Sequence, residues 1–198
     1  MDIQTSVQKI VEQLEERQGR QPLSPKHIWR QDIDEAVEKL EWNDRSRDTS
    51  VIALMAGLHV WNDNLHVSHA YCQQIEYDST GAYWHAIMHR MEQDYPNSKY
   101  WFRQAGNHPV KQSMPQKAAD YLQQCPELDK LPERSIADKL KQFRDKQSWS
   151  SEQFVDLVRM QESGQGSEET RVMLEQLQQI ELRALFDYTY QSVFQSDR

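Results

Sequence analysis

The sequence is short of the residues that break or staple a chain. Its 198 residues include 6 glycines, 7 prolines and 2 cysteines. With so little glycine and proline, disorder is not the reading for the whole chain. The two cysteines, Cys72 and Cys125, lie in no C-x-x-C pair. That excludes a zinc ribbon and leaves no disulfide framework. Two ordinary thiols fit a reducing cytoplasm, which is the expected location. Long hydrophobic runs are missing too. The longest, Val51–Leu58, falls far short of the roughly 20 residues a membrane span needs. The opening MDIQTSVQKIVEQLEE lacks the apolar core of a secretory signal. Positive charge is in deficit, with 23 Lys+Arg against 31 Asp+Glu and a net charge of -8. This argues against non-specific nucleic-acid binding. Neither nucleic acid nor membrane is therefore expected as a partner.

What is present reads as helix. Hydrophobic residues make up 37% and mean hydropathy is -0.91, as in helices with one apolar stripe. No two-residue alternation and no internal repeat is evident. The expected fold is an all-α helical bundle, a single domain over 1–198. Ile3, Val7, Ile10, Val11 and Leu14 recur at helical spacing, with Gly19 as a stop. Ser24-Pro25 is a helix start for a segment carrying Ile28 to Leu40. A long helix is expected from Thr49 or Ser50 to about Glu76. After a turn at Asp78–Gly81 a second runs from about Ala82 to Asp94, before Pro96. The two form an antiparallel hairpin. A short helix follows Asn97. Residues 107–132, with four prolines, read as loop with a helical turn near Ala118–Gln124. Helices are expected at Ser135–Arg144 and Ser151–Met160, and a long last helix is capped by Ser167.

Chemistry-bearing residues crowd into Leu58–Pro109, which holds six of the seven histidines. On the first arm of the hairpin Asn62, His66, His69, Gln73 and Glu76 are spaced four, three, four and three, and so share a face. On the second, His85, His89 and Glu92 do the same. If the arms turn these faces together, His69, His85 and His89 can hold a divalent transition metal (Zn, Fe, Mn or Ni), since imidazole suits all four. Glu92 is then a further ligand or a general base. The H-E-x-x-H protease motif is absent, because Ala86 follows His85. Hydrogen-bonded histidines in a buried polar core are the competing reading. Arg90, Lys99 and Arg103 lie beside Trp101 and its aromatic neighbours. With His66, they are candidates for a small anionic ligand; as ion pairs they would instead meet Glu92 and Asp94.

The run TGAYWHAIMHRMEQDYPNSKYWFRQAGNHPV, with Ser68-His69 upstream, resembles the signature of an uncharacterised family of bacterial and fungal proteins. Its matches are Trp84, His85, His89, Arg90, Glu92, Asp94, Asn97, Lys99, Trp101, Arg103, Gly106, His108 and Pro109. The resemblance spans Leu65 to Val110. It implies ligand and acid–base residues but carries no activity with it. Two functions are therefore open. One is a metal-assisted pocket, hydrolytic or oxygen-handling. The other is a non-catalytic helical interaction or structural protein, and a homo-oligomer is open under either.

Overall fold

The computed structural model describes residues 2–195. Among these residues there are ten α-helices and no strand: α1 (Ile3–Glu15), α2 (Gln31–Glu38), α3 (Thr49–Trp61), α4 (Leu65–Cys72), α5 (Ser79–Met91), α6 (Tyr95–Gln104), α7 (Pro109–Leu122), α8 (Arg134–Asp145), α9 (Ser151–Met160) and α10 (Glu168–Phe194). The all-α expectation holds.

Two helices form the centre. Every residue from Val51 to Trp61 of α3 is buried, and so is every residue from Gly81 to Met91 of α5. A helix apolar or buried all round must lie inside the molecule. The two come close at Gly57, where an added Cβ would stand 2.6 Å from the Trp84 ring. Apolar packing falls into two clusters. One gathers α1 to α6 around these central helices, with Val110 and Met114 of α7 and Val155 of α9, and the other gathers α8 with the rest of α7 and α9. The last helix joins them. Met173, Leu174 and Leu177 of α10 belong to the second cluster, and Leu182, Leu185, Phe186 and Val193 to the first.

The long first arm of the hairpin is not one helix. It stops at Trp61, and α4 restarts at Leu65. Asn62, Asp63 and Asn64 make the break for a physical reason: short polar side chains compete for backbone groups. Asp63 has φ 64, the Asn64 N–H donates to the His59 carbonyl, and the Asn64 side chain accepts from Val67 N–H. This is a left-handed helix stop followed at once by a new N-cap. The same device recurs at Glu92-Gln93-Asp94. Gln93 has φ 68, Asp94 N–H donates to the His89 carbonyl, and Asp94 caps α6 through Asn97 N–H. Residues 59, 63 and 64 thus correspond to 89, 93 and 94. The α3–α4 and α5–α6 units share one backbone pattern at an offset of 30 residues (89 − 59). The sequence hid this repeat because few side chains are kept between the copies.

Two further expectations are corrected. Ser24-Pro25 starts no helix; α2 begins at Gln31. Trp29 N–H and Arg30 N–H both donate to Asn62, whose side-chain amide donates back to the Arg30 carbonyl. That clamp holds the chain extended. Residues 109–122 are helix rather than loop, with Pro115 inside and His108 as N-cap.

Candidate metal centre

The break at 62–64 re-aims the chain, so that α4 presents His69 to α5. On α5, His85 and His89 are one turn apart and face α4. The ring centroids lie 4.9 Å apart for His69–His85, 5.1 Å for His69–His89 and 4.7 Å for His85–His89. One nitrogen from each ring can be chosen so that all three lie within 4.8 Å of one another. The three candidate ligands are therefore brought together.

Their surroundings are unusual. His85 is 2% exposed and His89 6% exposed. The His85 ring is stacked between His89 and Trp101 of α6, with the Trp101 centroid at 4.1 Å. Neither nitrogen of His85 has a hydrogen-bond partner, and neither does Nδ1 of His89. Buried polar atoms are nearly always paired, yet these three imidazole nitrogens make no hydrogen bond within the protein. Burial, then the nearby His89 and His69, pushes the His85 pKa down to about 3. Burial likewise lowers His69, followed by the effect of His89. Neutral rings with free lone pairs are the form that binds metal.

Glu92 reaches the cluster. One of its carboxylate oxygens is 3.5 Å from Nδ1 of His89, and one of Asp94 is 3.9 Å away. In the sequence Asp94 stands only as an ion-pair partner for the nearby cations and as a match to the family signature, not as part of the histidine cluster. It lies past the end of α5 and reaches back only because Gln93 reverses the chain, which helical spacing does not reveal. Beside these acids opens a groove of about 960 Å³. Exposed His66 lines one part of it, and Pro25, Lys26, His27 and Ile28 line another.

The remaining candidates fall elsewhere. Asn62 is clamped to Arg30 and shares no face with His66 and His69. Arg90 is fully buried; its Nη1 donates to Glu181 at 2.6 Å and its Nε to Gln178 at 3.3 Å. Lys99 pairs with Asp156 at 2.7 Å and Arg103 with Glu152 at 3.2 Å. Arg90, Lys99 and Arg103 therefore each face a carboxylate, and the cationic patch expected for an anion is not assembled. Nor do they pair with Glu92 or Asp94. Trp101 serves as a wall of the histidine cluster.

Two other histidines of the segment are engaged separately. His59 shares its Nδ1 with Asp34 at 2.9 Å. The Val110 N–H donates to Nδ1 of His108, which leaves Nε2 to donate to Thr80 Oγ1 at 3.2 Å. No family model matches the chain, and no curated protein or solved structure matches it either.

Proposed function

We propose that this protein binds one divalent transition metal through His69, His85 and His89, and uses it to activate water for hydrolysis. The observation that carries the reading is His85, a buried ring with two unpartnered nitrogens set against two more imidazoles. A hydrogen-bonded histidine core is less well supported, because no hydrogen bond reaches either nitrogen of that ring. In a tetrahedral site with ~2.0–2.1 Å metal–nitrogen bonds the donors stand about 3.3 Å apart. The present nitrogens lie within 4.8 Å of one another, so binding would require the rings to draw closer together. A metal held by His69, His85 and His89 would supply a water of lowered pKa. In this reading Glu92, 3.5 Å from Nδ1 of His89, takes the proton. Zinc, iron, manganese and nickel all accept imidazole.

Among the described residues no helix is long and apolar enough to cross a membrane. Cys72 and Cys125 are free thiols, which supports placing the protein in the reducing cytoplasm.

Protein purified without chelator is expected to carry about one equivalent of metal by elemental analysis. Re-adding zinc, iron, manganese or nickel to stripped protein should raise its melting temperature. Absence of bound metal together with an unchanged melting temperature would overturn the reading.

A further inference from the structure

The three rings of the centre differ in how firmly they are held. His85 is stacked between His89 and Trp101, with centroids at 4.7 and 4.1 Å and an interplanar angle of 17° on each side. His85 and His89 are buried, whereas His69 is partly exposed. It meets the other two rings only at a tilt, 54° to His85 and 70° to His89. His69 is thus the ring that stacking leaves unheld and that meets solvent. The charges on this side are uneven. Glu92 and Glu76, both exposed, act electrostatically on His69. Carboxylate oxygens of Glu92 and Asp94 stand 3.5 and 3.9 Å from Nδ1 of His89. Among the described residues no lysine or arginine pairs with any of these three acids. Exposed Lys26 is the one lysine or arginine lining the groove beside Glu92 and Asp94. Before a metal binds, three negative charges against one positive leave this side of the cluster negative.

We propose that the centre loads directly from hydrated divalent cations in solution, which enter past His69 under the pull of Glu76, Glu92 and Asp94, and that His69 closes on the ion last. This rests on the metal-centre reading. The donor nitrogens lie within 4.8 Å of one another, against about 3.3 Å around a tetrahedral ion, so a ring has to move inward. His85 cannot do so without giving up its stacking on Trp101, and His89 is buried against it. His69, half free in solvent, can swing. Each imidazole nitrogen displaces one water from the arriving ion, and no bond within the protein breaks. Release runs back along the same path, with His69 letting go first.

The test mixes the metal-free full chain with cobalt(II) in a stopped-flow instrument and follows the visible absorption of the bound ion. Two exposed positions are varied, Glu76→Gln and Lys26→Gln. At about 10 mM salt the first is expected to slow association about threefold and the second to speed it about twofold. Both differences should vanish at about 1 M salt. Diethylpyrocarbonate, which acylates accessible imidazoles, locates the entrance. In metal-free protein His69 is expected to react well before His85 and His89, and bound cobalt should protect it. If no cobalt binds, the metal centre fails and this inference with it. If cobalt binds but either variant associates at the parent's rate in low salt, the loading inference alone falls. Modification of His85 or His89 as fast as His69 also overturns it.

Discussion

His85 is where a structural and a functional role predict opposite results. A buried ring nitrogen without a partner costs stability, on the order of 1–3 kcal/mol. His85 has two such nitrogens between Trp101 and His89. Replacing it with phenylalanine keeps the stacking and removes the cost. Metal-free His85→Phe is expected to melt a few degrees above the metal-free parent, at about 2–4 °C per kcal/mol for a chain of this size. It should also lose the metal-induced rise. Were His85 a member of a satisfied network, the variant would melt lower. The pH dependence follows from the same burial. In the fold His85 stays neutral down to about pH 3 and His108 to about 4, whereas an unfolded chain protonates histidine near about 6.5. Between those values the unfolded state holds the extra protons, so stability is full above about 6.5 and falls as pH falls. The melting temperature of metal-free protein is therefore expected to drop steadily from neutral pH towards pH 4, with proton uptake on unfolding. His85→Phe should show a shallower drop, and a flat profile in the parent would contradict this account.

At the scale of elements, the centre depends on two helix breaks. Gln93 occupies the left-handed region at φ 68, where a residue with a Cβ is disfavoured by about 1 kcal/mol or more. Its side-chain amide contacts Glu162 at 3.0 Å on the exposed surface, a contact worth little. Gln93→Gly is thus expected to raise the melting temperature by about 2–4 °C with metal affinity unchanged. Differential scanning calorimetry and metal titration check the two halves. The break at Asp63 gives no such gain, because Asp63 also pairs with Arg17 and accepts from Gln21 at 2.6 Å. These breaks also mark how far the sequence was legible. The helical spacing of His85 and His89 put both rings on one face, and a polar turn at Asp78–Gly81 returned the chain so that His69 met them. Periodicity could not show that Asn62-Asp63-Asn64 ends a helix, since the flanking stripes stay nearly in phase across it. Asn62 was accordingly misplaced onto the histidine face. Arg90 was misread for a different reason. A charged residue beside aromatic ones looks like a ligand group, and only the fold reveals Glu181, far along the chain, beneath it.

At the scale of the whole molecule, that buried pair links the site to the helix that spans both apolar clusters. Arg90 follows His89 on α5, and Glu181 lies midway along α10; both side chains are fully buried. Glu181 also accepts from the Tyr83 hydroxyl at 2.9 Å. Gln178, which accepts from Arg90, donates in turn to the Pro22 carbonyl at 3.1 Å, just before the extended segment that borders the groove. Breaking one side of such a pair strands a charge away from water, at a cost of about 3–5 kcal/mol. Replacing both partners with apolar groups of similar size avoids that cost. Glu181→Leu is therefore expected to lower stability by about 3–5 kcal/mol in urea denaturation. Arg90→Met combined with Glu181→Leu should recover most of the loss, with part of the Tyr83 and Gln178 hydrogen bonding still missing. Because the Arg90 side chain bonds to Glu181 and Gln178 and to none of the three imidazoles, the double variant should bind metal as the parent does. If it folds fully yet has lost the metal, Arg90 is a ligand-site residue after all, and the separation between anchor and centre argued here is wrong.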